Sequence, residues 1–277
     1  MQNRAKFSPS YKSPEFCIIA PTAYLNQYAT QSNTHLVLAH LVDTDQTYAD
    51  FYQRISGLGD RVIMDCSAFE LGESYAPDRL VDLGHRCGAH AIVLPDYPFA
   101  PSSKTIQAAE DILPSVKNAG FATFFVPQSE LGNLDDWIAG YRWAATHPDI
   151  DIIGMSILGI PNALPHIPVP YARVVMTQLL QTQGVFADNK YHHYLGLNSG
   201  PALEIPPLLK MNALNSIDSS NPIWMAILGH EYSRNTDSYL SVSKVKKEVE
   251  FDFPFIKDMP THRRIQTNLD LTLDLFK

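Results

Sequence analysis

Asp65, Asp96 and Asp218 each stand at the end of a short apolar run, within Val62–Cys66, just after His90–Pro95 and within Ser216–Ser219. Gln128 stands in the same way behind Ala122–Val126. Carboxylates supply nucleophiles, general acids and bases, and acceptors for a donor-bearing heterocycle. An aspartate at a strand end also caps the helix that follows it. Taken singly, each of these residues reads at least as well as a cap. The chemical reading rests on their being carried to one place, and so on the elements that carry them.

Eight apolar runs qualify as strands: Phe16–Pro21, His35–His40, Val62–Cys66, His90–Pro95, Ala122–Val126, Ile150–Ile157, Tyr191–Leu197 and Ser216–Ser219. They are rich in Val, Ile, Leu and Phe and mostly do not alternate, which suits strands buried on both faces. Helical patterns lie between most of them. Pro77–Cys87 begins on Pro and stops at Gly88, Ser103–Asn118 ends at Gly120 with Pro114 in its last turns, Leu134–Thr146 follows Asn133 as N-cap, and Tyr171–Thr182 ends at Gly184. Alternating strands and helices predict a parallel sheet with helices outside, and eight units in this length fit an α/β fold of the (β/α)8 TIM-barrel type. A doubly wound sheet is the alternative, but no G-x-G-x-x-G turn supports it. Residues 230–277 are read as a C-terminal extension holding the last barrel helix, within a single domain.

In such a barrel the strand C-termini build the active site. Polar residues gather there: Asp65-Cys66-Ser67, Asp96, Gln128, Gly154-Met155-Ser156 with Gly159, Gly196 to Gly200, and Asp218 to Asn221. Three carboxylates and one amide would then face one mouth.

The rest of the composition narrows the field. Hydrophobic residues make up 45% of 277, ample for a core and against disorder. No apolar run reaches membrane-span length, and Met1–Ser13 is polar, so we expect no membrane, no secretory leader and a cytoplasmic location. The net charge of −8 weighs against a broad phosphate-binding surface. Local basic clusters remain at Lys244, Lys246 and Lys247 and at Arg263 and Arg264, each readable as a solvated helix face. Cys17, Cys66 and Cys87 are too few and too scattered for a zinc site. His85, His90, His192, His193 and His230 lack metal-ligand spacing, and we read them as surface or packing residues, with no metal and no cofactor. Cys66 is read as a small buried residue rather than a reactive thiol.

From about Val62 to Pro222 the ordered motifs resemble the tRNA-guanine transglycosylase superfamily, most of all its phage-type branch that exchanges guanine in DNA for a 7-deazaguanine. Asp65-Cys66-Ser67-Ala68-Phe69-Glu70 stands where the family has Asp-Ser-Gly-Gly-Phe-Gln. Asp96-Tyr97-Pro98, Gln128, the turn from Ile153 to Gly159, His193-Tyr194-Leu195-Gly196 and Asp218 follow in family order. The resemblance implies Asp218 as nucleophile at the sugar C1′ and Asp65 as acid/base. It implies Asp96 as acceptor for the N1–H and 2-amino donors of a guanine edge, and Gln128 and the Gly154 N–H as donors to its O6. Phe69 and Leu195 would sandwich the ring, and Gly196 joins the base-binding set. Glu70 replaces a family Gln and receives no role.

The family's tRNA enzymes carry a zinc subdomain, and no cysteine follows Cys87 here. Asn221-Pro222-Ile223-Trp224 stands in place of their Pro-Thr-Arg stretch. The expected partners are therefore guanine-containing DNA and a free, preQ0-like 7-deazaguanine base, in the host cytoplasm if the gene is a phage's, with the basic clusters flanking the barrel mouth. Three alternatives stay open: action on tRNA or a free nucleoside, a non-catalytic subunit that binds nucleic acid or a partner enzyme, and a generic barrel lyase or hydrolase.

Overall fold

The computed structural model of the chain describes residues 2–9, 13–197, 201–233, 256 and 258–277. Eight parallel strands form a nearly closed barrel with helices around it: β1 Glu15–Ile18, β2 Thr34–Leu38, β3 Arg61–Asp65, β4 Ala91–Val93, β5 Ala122–Phe125, β6 Ile152–Gly154, β7 Tyr191–Tyr194 and β8 Ser216–Ser219. Hydrogen-bonded neighbours run β1-β8-β7-β6-β5-β4-β3-β2. At the remaining seam β1 and β2 pack side by side, and the Ser32 hydroxyl donates to the Phe16 carbonyl at 2.6 Å.

All eight expected strands are present, most of them shorter than their apolar runs. Pro95 and Pro127 lack the N–H that would extend the ladder, so β4 and β5 stop early and leave their polar ends to the rim. The helix Leu134–Thr146 has the expected bounds, with the Asn133 side chain accepting from the Asp136 N–H. Gly88 ends the helix Leu80–Cys87 at φ +67°, a conformation that suits glycine. The helix Ser102–Asn118 runs on through Pro114. Several helices escaped the pattern reading, the longest of them Gln46–Gly57 and Pro201–Lys210.

The N-terminal end of the barrel is plugged. Arg61 reaches across it to Glu15, to the Thr34 hydroxyl at 3.0 Å and to the Lys6 carbonyl at 2.9 Å. Phe7 packs edge-on to Tyr191 above it, with ring centroids 5.5 Å apart. The opposite end stays open to carry a site.

After β8 comes the short helix Asn221–Ile227, and Met259–Leu273 packs on it. Arg263 is exposed in that last helix. Arg264 donates to the Ala226 carbonyl at 3.1 Å and to the Thr261 hydroxyl at 2.8 Å, so it ties two helices together. Lys244, Lys246, Lys247 and the segment Asn198-Ser199-Gly200 lie outside the described residues.

Candidate functional site

The C-terminal strand ends surround a cavity of about 170 Å3. Asp65, Asp96, Gln128 and Asp218 all line it, together with Phe69, Leu195 and Gly196.

Asp65 closes β3. Behind it Ser67 takes a left-handed φ of 62°. Its N–H donates to Asp65 Oδ2 at 2.8 Å, and the chain turns into the short helix Ala68–Leu71. That turn brings Phe69 and Glu70 to the cavity wall. Burial first, then the charges of Glu70 and Asp96, push the Asp65 carboxyl well above the usual carboxylate range.

Asp96 receives two donors. The Cys66 thiol donates to Oδ1 at 2.9 Å and Gln128 Nε2 donates to Oδ2 at 2.6 Å. Burial outweighs both and lifts Asp96 to about 6. Cys66 is therefore more than an apolar filler: it is fixed as a donor. Burial and the nearby Asp96 and Asp65 raise its thiol far from thiolate formation, which rules against a nucleophilic role at neutral pH.

Asp218 accepts from His193 Nε2 at 3.0 Å and from the Gly196 N–H at 2.9 Å, both at Oδ1. A carboxylate only accepts, so Nε2 carries the proton. On the other side of the ring, Nδ1 lies in hydrogen-bond contact with the Ser216 hydroxyl, 2.6 Å away. Among the described residues no hydrogen bond engages Oδ2, and Asp218 lines the cavity. The two adjacent histidines do face opposite ways. His192 stacks on Phe186 outside the barrel, while His193 meets Phe124 and Asp218 inside. Both are buried. The surface-or-packing reading therefore misses the orienting contact of His193, because strand alternation reveals a face but not a partner.

Two expected roles need correction, those of Gly154 and Gln128. Gly154 does not line the cavity; it sits in β6, paired with β7. A Cβ there would come within 2.7 Å of Phe124, 2.8 Å of Val126 and 3.0 Å of Leu195, so the glycine serves packing beneath the cavity wall. The Gly196 N–H is engaged by Asp218. Gln128 presents the opposite polarity to the one expected. Its Nε2 faces Asp96, since two acceptors at that distance would repel, and its buried Oε1 has no partner.

Ser156 also lines the cavity. Its Oγ accepts the N–H groups of Leu158 and Gly159, both at 3.1 Å, so its hydroxyl hydrogen is not used in either bond.

Two further residues, given no role from the sequence, belong to the site or its support. Glu70 lines the cavity with Oε2 buried and unpartnered. Burial first, with Asp218 and Asp96 adding to it, raises its carboxyl to about 7. Arg173 lies fully buried behind the wall, paired with Glu204 through two 2.6 Å bonds. It also donates to the carbonyls of Met155, Leu195 and Gly196 at 3.0, 2.9 and 2.7 Å, which fixes the ends of β6 and β7. The acidic residue at the motif's sixth position was a readable signal for Glu70. Nothing in the helical pattern around Arg173 marks it.

Among the described residues no group of three His, Cys, Asp or Glu side chains is arranged to hold a metal ion. No helix among them is long and apolar enough to cross a membrane. The chain matches no protein-family model and no curated protein.

Proposed function

We propose that the chain is a base-exchange transglycosylase that replaces guanine in DNA with a 7-deazaguanine through a covalent aspartyl–sugar intermediate. The observation that carries this reading is the meeting of Asp65, Asp96 and Asp218 around one cavity with apolar walls at Phe69 and Leu195. Asp218 Oδ2 attacks C1′. The C1′–N9 bond breaks and its electron pair leaves with the base, through a transition state with oxocarbenium character. A carboxyl held protonated by burial, such as Asp65, gives the departing base its proton. The incoming base returns a proton to Asp65 and its nitrogen displaces the Asp218 carboxylate from C1′. One group thus serves as acid and then as base. Asp96 accepts from the donor edge of the ring, and the Ser156 hydroxyl donates to its carbonyl oxygen. Guanine in a duplex must first leave the stack, at a cost of a few kcal/mol.

Incubation with guanine-containing DNA and radiolabelled guanine or 7-deazaguanine tests the reading. Label in DNA, absent with Asp218→Asn, supports it. Label in tRNA alone moves the substrate to tRNA. No label in either polymer, with wild-type protein that still binds nucleic acid, favours a non-catalytic role.

A further inference from the structure

One peptide unit in the cavity wall stands between two charged side chains. Its N–H, that of Gly196, donates to Asp218 Oδ1 at 2.9 Å. Its carbonyl, that of Leu195, accepts from Arg173 Nη1 at 2.9 Å and from the Ile157 N–H at 3.1 Å. The next carbonyl along the chain, that of Gly196, accepts from Arg173 Nη2 at 2.7 Å. The peptide is planar and the guanidinium donates along fixed directions. These bonds therefore set the direction in which the Gly196 N–H points.

Arg173 is 0% exposed and does not line the cavity. Its other donors go to the Met155 carbonyl at 3.0 Å and to Glu204, through two bonds of 2.6 Å. Glu204 compensates the charge inside the wall, so what passes outward is direction rather than net charge. Gly196 brings no stiffness of its own: it has no side chain, and its φ is +73°. The peptides on both sides of it turn freely unless another group holds them, and Arg173 is bonded to both. Hydrogen bonds in a chain also polarise one another, so a carbonyl bonded to a guanidinium leaves its peptide N–H a better donor.

We infer that Arg173 is a positioning residue for the exchange: through the peptide between Leu195 and Gly196 it aims the Gly196 N–H at Asp218 and so holds the nucleophilic carboxylate in its attacking orientation. The inference rests on the reading of Asp218 as nucleophile. It gives Arg173 no contact with base or sugar. A residue that acts on the nucleophile alone lowers kcat and leaves affinity for the free base in place. Leu195 also lines the cavity, so a role confined to shaping the wall raises KM instead.

Two variants test this. Arg173→Lys keeps a charge opposite Glu204 but replaces the fork with a single ammonium. The double variant Arg173→Met, Glu204→Met leaves no charge stranded and so keeps the fold. Steady-state exchange of radiolabelled guanine into DNA gives kcat and KM, and urea transitions report folding. We expect kcat to fall about tenfold to a hundredfold in both variants, with KM for guanine little changed. A second measurement needs no exchange. In protein with isotope-labelled glycine, the Gly196 amide resonance is the one missing from Gly196→Ala. Its proton should move upfield in Arg173→Lys, in the same direction as in Asp218→Ala. Unchanged kcat in the folded double variant, a rise in KM at unchanged kcat, or a Gly196 resonance that stays in place overturns the inference. If the double variant does not fold, Arg173→Lys decides. Wild-type protein that transfers no label fails the transglycosylase reading, and the Gly196 resonance separately decides the link from Arg173 to Asp218.

Discussion

His193 Nε2 lies 3.0 Å from Asp218 Oδ1, and the Gly196 N–H lies 2.9 Å from the same oxygen. Two donors on one oxygen orient the carboxylate. Ser216 fixes the ring from behind at 2.6 Å. His193 does not line the cavity, so its effect on a reaction passes through Asp218. His193→Leu removes one charge-assisted bond, a loss of about 1.5–3 kcal/mol. The expected outcome is a fall in kcat for exchange with KM for the free base little changed, partly recovered in His193→Gln, whose side-chain N–H can still donate. The measurement is steady-state exchange kinetics for the wild type and both variants. A rise in KM at unchanged kcat, or no loss in His193→Leu, rules out the orienting role.

A second prediction concerns pH and stability. Asp96 is raised to about 6 and Glu70 to about 7, whereas free carboxyls titrate near about 4. Between those values the folded state binds more protons than the unfolded state. Stability from these groups therefore falls as pH rises from about 4 to about 7 and levels off above that. His90 and His192 are lowered by burial to about 4 and about 3 and act in the opposite sense. The informative quantity is thus the difference between wild type and Asp96→Asn. The variant is accommodated if the Gln128 amide flips, since its Oε1 is free to accept from the new Nδ2–H. Urea midpoints at pH 4.5, 6 and 7.5 should show Asp96→Asn gaining stability relative to wild type as pH rises. A gap that is constant or closes with rising pH contradicts the sign.

How far the sequence reached depends on the kind of order involved. Strand runs were legible because both-face burial selects continuous Val, Ile, Leu and Phe, as in Ile63, Ile92 and Phe124. The convergence of Asp65, Asp96 and Asp218 followed from a rule of barrels: strand ends meet at one face. Donor direction was not legible. Gln128 turns its nitrogen to Asp96 because a neighbouring carboxylate demands it, and no local pattern encodes that. The Gly154 packing role depends on Phe124 and Val126 from β5 and its end and on Leu195 from the end of β7. Arg173 is a long-range device, and its five donors find partners on three separate segments.

That device gives the third prediction. Arg173 and Glu204 are both about fully buried, and their pairing leaves no charge uncompensated. Removing one partner by Glu204→Ala strands the guanidinium and costs about 3–5 kcal/mol. Replacing both with Met costs much less than the sum of the single changes, because no charge is then left behind. Equilibrium urea unfolding of the two single variants and the double variant measures the coupling. Additive losses contradict a buried pair that acts as a unit.

The last prediction separates two glycines that sequence reading placed in one set. Alanine at 154 puts a methyl 2.7 Å from Phe124, 2.8 Å from Val126 and 3.0 Å from Leu195. Overpacking of this kind costs about 1–3 kcal/mol. Val126 and Leu195 also line the cavity, so their retreat narrows the slot for the base. Alanine at 196 meets a different obstacle: φ is +73°, and the new methyl lies 2.8 Å from Ile157. Left-handed backbone costs a residue with a Cβ roughly 1–2 kcal/mol, and relief of that strain turns the 196 N–H away from Asp218 Oδ1. Gly154→Ala should therefore raise KM for the free base with kcat largely kept. Gly196→Ala should lower kcat with the larger share of the loss at the nucleophile. Steady-state exchange kinetics on the two variants, each checked for folding by its urea transition, read the split directly. The reverse pattern would place Gly154 at the reacting atoms and Gly196 in the wall, against the geometry found for both.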